Sequence, residues 1–243
     1  MAIDSERASA TPDLEQAPLL ALETSTRALT VALGRPGEPF EERVVDSERA
    51  HASALAPAAR ELLSDRALEL RDLGGIVVGI GPGSFTGLRV AAAFALGLER
   101  STGRPTFGLS SMATDLTDAS SSGTPALVLS DARGRRVYAG AYLPGTPATE
   151  LVAPCAPRLD EFTSWLEQCG LKGDFQVRAD ERTLGLRCGT VDLQSVIAER
   201  LGRDVAPDPV RPSAAGLLRC LSDSQPALAP GSLRPLYLSR FGE

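Results

Sequence analysis

The chain of 243 residues contains one histidine, His51, and that scarcity excludes a good deal. Zinc sites built on paired histidines cannot form, and Ser-His-Asp chemistry would have to pass through that one side chain. The four cysteines, Cys155, Cys169, Cys188 and Cys220, stand far apart with no C-x-x-C pair. Neither a zinc knuckle nor a dithiol redox motif is therefore present, and the thiols read as packing residues. Basic residues are fewer than acidic ones, 25 against 31, for a net charge of −6. No broad attraction to nucleic acid is written into such a balance, so a partner is expected to carry most of the grip on any RNA. No apolar run has the length of a membrane span. Residues Met1 to Pro18 hold Asp4, Glu6, Asp13 and Glu15 among Ser, Ala and Pro, with neither an apolar h-region nor an arginine-rich amphipathic run. A flexible tail on a soluble, cytoplasmic protein is the expectation.

What is present is an alternation of strand and helix patterns with apolar content sufficient for a core. Leu19 to Thr24 and Ala28 to Gly34 read as a hairpin that places Glu23 at a strand end, with a third strand over Glu41 to Val45. Helical spacing of Leu55, Ala59 and Leu62 marks a helix from Ala50 to Leu63. Ile76 to Ile80 is an apolar strand followed by a glycine turn and a helix over about Leu88 to Ser101, which makes an α/β unit. A strand over Thr106 to Leu109 and a helix near Met112 to Leu116 follow. The polar stretch Thr117 to Gly123 predicts a boundary between a first lobe (19–120) and a smaller second lobe (121–243). In the second lobe, Ala126 to Ser130 and Arg136 to Leu143 repeat the opening hairpin, Phe175 to Ala179 reads as a strand, and Leu159 to Glu167, Val191 to Leu201 and Ser213 to Leu221 read as helices.

The segment Gly79-Ile80-Gly81-Pro82-Gly83-Ser84-Phe85-Thr86-Gly87 is not a known nucleotide loop. It lacks the lysine of a Walker A motif, Thr86 stands where a Rossmann fingerprint needs glycine, and Ser84 is not the centre of a G-x-S-x-G elbow. Two readings stay open for it: a structural turn, or backbone amides at a helix N-terminus arranged for an anion. On a helical wheel, Leu88, Val90, Ala91, Ala93, Phe94, Ala95, Gly97 and Leu98 cover an arc of roughly 220°, about twice what one core face requires. Either the helix is buried on both sides or its second face meets a partner, and its small residues would permit close approach.

Together, Leu20-Ala21-Leu22-Glu23-Thr24-Ser25, the string from Gly81 to Arg89, and Asp131-Ala132-Arg133 before Val137-Tyr138 resemble the TsaB (YeaZ) family. The resemblance runs from about Leu19 to Tyr142 and returns at Pro212-Ser213-Ala214 and Pro235-Leu236-Tyr237-Leu238. It implies an α/β fold of the actin-like, Hsp70-like and sugar-kinase-like kind, with two related lobes. It implies a non-catalytic subunit that pairs with the TsaD transferase, joined by the small ATPase TsaE. The product is N6-threonylcarbamoyladenosine at position 37 of tRNAs reading codons that begin with A, and contact with tRNA is indirect. The metal-binding His-x-x-x-His pair of TsaD falls by similarity on Ser111 and Asp115, so no metal and no cofactor are expected here. Partner contacts are assigned to Val90, Ala93, Phe94 and Gly97, with Leu55 and Ala59 from the neighbouring helix, facing TsaD or a second copy of the chain. Leu88, Ala91, Ala95 and Leu98 are left for the core.

Glu23, Gly81, Gly83, Ser84, Thr86 and Asp131 are the candidates for contact with a nucleotide or anion. Glu23 stands where actin-like ATPases use an aspartate. The rival reading is an autonomous ATPase or sugar-kinase-like phosphotransferase built on those residues; a third is an RNA-binding module that needs no partner. Arg133-Gly134-Arg135-Arg136 is unusually basic, either a solvated turn or a contact for tRNA phosphates.

Overall fold

A computed structural model of the chain describes residues 17–35, 38–46, 51–116, 123–146, 148–221 and 233–238, apart from the side chains of His51 and Asp115. Most of the expected tail and most of the expected boundary stretch lie outside the described residues. Strands β1 (Leu19–Glu23), β2 (Ala28–Gly34) and β3 (Glu41–Asp46) form a meander. After α1 (His51–Asp65) come β4 (Gly75–Gly79), α2 (Phe85–Thr102) and β5 (Thr106–Leu109), completing a sheet in the order β3-β2-β1-β4-β5. β1 pairs antiparallel with β2 and parallel with β4. All five residues of β1 and of β4 are buried, as strands covered on both faces must be.

The second sheet repeats the plan. β6 (Ala126–Arg133), β7 (Arg136–Leu143) and β8 (Thr149–Cys155) form an antiparallel meander, and β9 (Gln176–Arg178) adds parallel to β6 in the order β8-β7-β6-β9. Numbered from its own first strand, the first sheet reads 3-2-1-4-5 and the second 3-2-1-4. The two lobes are thus related, as expected. β8 was not anticipated, because Thr149–Cys155 is half-exposed and lacks a clean apolar alternation.

Each sheet is covered on both faces. Leu20, Leu22, Val31, Ile76 and Val78 pack against Leu55, Leu62, Ala91 and Ala95 of α1 and α2. In the second lobe Leu127, Leu129, Val137 and Val177 pack against α3 (Phe162–Gln168) and α5 (Leu193–Leu201) through Phe162, Leu166, Leu193 and Ile197. The short α4 (Glu181–Leu184) and the two-residue strands β10 (Arg187–Cys188) and β11 (Val191–Asp192) stand between β9 and α5. The segment expected as one helix from Val191 thus opens as a strand, and α5 begins only at Leu193, where the Asp192 carboxylate accepts the Ser195 amide as a cap.

The remaining faces are covered by two short elements. The 3-10 turn Ser111–Leu116 lays Met112 and Leu116 on Ala126, Val128 and Tyr142 of the second sheet. Helix α6 (Ala214–Cys220) lays Ala214, Ala215, Leu217 and Leu218 on Leu19, Ala21, Val77 and Phe107 of the first. The assignment of everything after residue 120 to the second lobe is therefore corrected. The first amides of α6 also bond into the first lobe: Ala214 N–H donates to Thr30 Oγ1 at 2.8 Å and Ala215 N–H to Glu42 Oε1 at 3.0 Å. These bonds satisfy donors that a helix N-terminus leaves open. Leu233 joins the core beneath α1 and α2, and the Leu236 amide donates to the Ile80 carbonyl at 2.7 Å, so residues 233–238 also pack on the first lobe.

Candidate functional site

The glycine turn begins where β1 and β4 end side by side, with Leu22 opposite Val78. Glu23, the last residue of β1, is fully buried. Its Oε1 accepts the Ser25 amide at 2.6 Å, while Oε2 has no hydrogen-bond partner of good geometry. Burial pushes the carboxyl above its usual range, and the nearby hydroxyls of Ser25 and Ser111 pull it back only in part. A Cβ on Gly79 would fall on that carboxylate and 2.8 Å from Ser111 Oγ, so the absence of a side chain there makes room for Glu23.

Much of the turn's hydrogen bonding is internal. Gly81, at φ 95°, donates its amide to Ser111 Oγ at 3.1 Å, and the Ser111 amide returns to the Gly81 carbonyl at 2.9 Å. The Ser84 amide donates to the Ser25 carbonyl at 2.6 Å. Ser84 also caps α2, its hydroxyl accepting the Gly87 amide at 3.2 Å. Gly83 stands just before the cap and Gly87 in the first turn of α2, and a Cβ on Gly83 would run into the Ser25 carbonyl oxygen and one on Gly87 into that of Thr24. Their job in the fold is close approach: the first turn of α2 sits directly on the end of β1.

The polar candidates accordingly divide. Glu23, Gly81, Gly83, Ser84 and Thr86 are brought together around this junction, with Ser84 and Thr86 exposed. Asp131, on β6, makes its contacts within the second lobe, its carboxylate pairing with Arg182 at 3.1 Å and accepting the Arg133 amide at 2.7 Å. Among the described residues no group of three or more His, Cys, Asp or Glu side chains is placed to hold a metal ion. Sequence reasoning missed the three buried polar atoms without partners that gather here, Glu23 Oε2, Thr24 Oγ1 and Ser25 Oγ. Thr24 read as the end of a strand and Ser25 as an ordinary turn residue, and it is the close packing of Gly83 and Gly87 on them that covers both.

On α2, Leu88, Ala91, Ala92, Ala95 and Leu98 are buried, Ala93 and Gly97 are exposed, and Val90 and Phe94 are half-buried. A Cβ on Gly97 would meet nothing within 4 Å. Leu55 and Ala59, assigned to the same surface, are 1% and 2% exposed and belong to the core. That assignment is corrected: the apolar stripe of α1 is the one it turns to the sheet, and Ala52, Ser53, Ala56 and Arg60 face outward. At the start of α2 the exposed Phe85 ring packs tilted against Tyr237, with centroids 5.1 Å apart and planes at 49°, and the Arg89 guanidinium lies 4.9 Å from its centre. No sequence periodicity could have joined residues so far apart.

Two α/β lobes on one 3-2-1-4 plan, with a glycine turn where the first and fourth strands end, define the class of actin-like, Hsp70-like and sugar-kinase-like folds. Residues 45–179, more than half of the chain, match the family model described as TsaD, tRNA N6-adenosine threonylcarbamoyltransferase. An uncharacterized protein of Mycobacterium tuberculosis is 38% identical over 145 residues, which is 57% of this chain and 67% of that one. The tRNA threonylcarbamoyladenosine biosynthesis protein TsaB of Bacillus subtilis is 32% identical over 149 residues, 61% of this chain and 64% of that protein. The crystal structure of a Pseudomonas aeruginosa protein described as similar to peptidase YeaZ superposes with a TM-score of 0.73 at 24% identity, covering 92% of this chain and all of the other. The chain belongs to the TsaB (YeaZ) family.

Proposed function

We propose that this chain is a non-catalytic partner subunit of a TsaD-type transferase in the formation of N6-threonylcarbamoyladenosine at position 37 of tRNAs that read codons beginning with A. The observation that carries the reading is the split of α2 into a buried face and an open one. Ala93 and Gly97 present almost no side chain beside half-buried Val90 and Phe94, a strip on which a second helix can lie close. The subunit acts by docking, a TsaE-type ATPase joins through the complex, and tRNA is held mainly by the partner. In the partner's absence the same strip would serve a second copy of the chain. A cytoplasmic location follows from the same reading, and among the described residues no helix is long and apolar enough to cross a membrane.

The non-catalytic part of the reading is supported by how the site's polar groups are used. The Gly81 and Ser84 amides are spent on Ser111 and Ser25, Asp131 is spent on Arg182, and a carboxyl with a raised pKa such as that of Glu23 is a poor ligand for magnesium. Two assays on purified protein test it: ATP turnover by the chain alone with magnesium, expected to be absent, and the mass of its mixture with TsaD, expected to be that of a complex. Turnover that disappears in Glu23→Gln would instead establish the autonomous ATPase. That second reading is favoured by the partnerless oxygens of Glu23, Thr24 and Ser25, which a bound ligand would satisfy.

A further inference from the structure

The turn that joins β6 to β7 has an uncommon backbone. Arg133, Gly134 and Arg135 all lie in the left-handed region, with φ of 62°, 55° and 60°. Glycine enters that region freely, whereas the Cβ of an arginine crowds its own carbonyl there. The strained conformation is held by the surroundings. Arg133 donates its amide to Asp131 Oδ1 at 2.7 Å, and the Leu159 amide donates to the Arg135 carbonyl at 2.8 Å. The Arg136 guanidinium donates to the Ala156 carbonyl at 2.9 Å and so is committed to the fold.

The charges around the turn neutralise one another. Arg182 pairs with Asp131 at 3.1 Å, and Arg158 grips both oxygens of Asp160 at 3.0 and 2.9 Å, with Glu161 acting on the same arginine. Arg133 and Arg135 differ from these. Both are exposed, and among the described residues neither side chain enters an ion pair or hydrogen bond, although Arg135 stands close enough to Asp160 to act on its charge from a distance. A chain of net charge −6 therefore displays two uncommitted guanidiniums on a braced tip.

We infer that the Arg133–Arg135 tip is a contact for the phosphate backbone of RNA, each guanidinium taking a phosphate. A planar fork of donors matches phosphate oxygens in pairs, and a turn already fixed in place loses little freedom on binding. A protein partner would seek buried apolar anchors. The exposed large apolar side chains, Val44, Phe85, Leu151 and Tyr237, are all on other elements, so the tip offers charge alone. Such a contact positions an RNA without reading its sequence.

The choice of tRNA as ligand rests on the function proposed above, and the test separates the two. Affinity for an unmodified tRNA transcript is measured by fluorescence anisotropy across a sodium chloride series, for the chain alone and for its complex with TsaD. The Arg133→Ala/Arg135→Ala variant is expected to bind about tenfold more weakly at low salt, with a slope of log affinity against log salt shallower by about 1.5–2. Arg133→Lys/Arg135→Lys should retain most of both. The mass of the complex with TsaD, without RNA, should be unchanged in both variants. An unchanged slope in the alanine variant overturns the inference, as does wild-type protein that shows no salt-dependent RNA binding in either form. Loss of TsaD binding with RNA affinity intact would overturn it by assigning the tip to a protein contact. Failure of the wild-type chain to bind TsaD at all would refute the proposed function instead.

Discussion

The carbonyl oxygen of Ser25 accepts the backbone amide of Ser84 at 2.6 Å, and this bond fixes the start of α2 on the end of β1. Everything assigned to the glycine turn depends on that closeness. It demands glycine at 83 and 87, it seals Glu23 and Thr24 from water, and it aims α2 so that one face meets the sheet while the other stays open.

Close packing at the crossing predicts opposite outcomes for two glycines of one segment. Gly87→Ala would press a methyl group onto the Thr24 carbonyl and should cost about 1–3 kcal/mol or more. Gly97→Ala meets nothing and replaces a poor helix former inside α2, so it should gain about 0.5–1 kcal/mol. Urea unfolding of the two variants measures both.

Glu23 gives the chain a pH dependence of known sign. Its folded pKa is raised by burial above the value of an unfolded glutamate, so the folded state holds this proton more tightly. The stability it contributes is complete below the unfolded pKa, declines as pH rises through the folded pKa, and is absent above it. Glu23→Gln should flatten that decline and leave the protein more stable than wild type at neutral pH. Thermal melts from acidic to neutral pH check this, and a variant that tracks the wild-type profile would contradict the burial argument.

The left-handed turn provides a third expectation. Arg133→Gly removes the conformational strain while loosening the unfolded chain, for a net gain of up to about 1 kcal/mol. Chemical denaturation reads the change, and a loss of stability would mean that the arginine side chain braces the fold.

Much of the fold was legible in the sequence because its signals were local. Apolar runs such as Leu20–Leu22 and Ile76–Val78, and the turn chemistry of Gly81 to Gly87, define the first α/β unit without reference to anything distant. The inward side of α2 was legible too, since Leu88, Ala91, Ala95 and Leu98 share one side of the wheel and are all buried. Leu55 and Ala59 were misplaced for the complementary reason. A helix with one apolar stripe spends it on its own sheet, and Leu55 and Ala59 were assigned to the partner surface from the resemblance and from their nearness to α2, which alone has more apolar arc than one core needs. The destination of α6 was not legible at all. Its apolar residues fit either sheet, and the choice is made by Thr30 and Glu42, which receive its first amides from more than 170 positions away.

That correction is itself testable. Leu55→Ala should destabilise the first lobe by about 2–5 kcal/mol, the cost of emptying a buried leucine site. At temperatures where the variant is folded, its affinity for TsaD should match that of wild type. A thermal melt combined with titration calorimetry separates the two effects, and weakened binding in a fully folded variant would return Leu55 to the interface.

The central claim is that the open strip of α2 is where a transferase subunit docks. Its most direct test is the mass, by size exclusion with light scattering, of Gly97→Glu and Ala93→Glu chains mixed with TsaD. A charge forced into a close helix contact must be desolvated without a partner, whereas on an exposed face of the free chain it costs nearly nothing. The account predicts that each variant melts like wild type and elutes separately from TsaD. A Gly97→Glu protein that still forms the complex with unchanged affinity would contradict it.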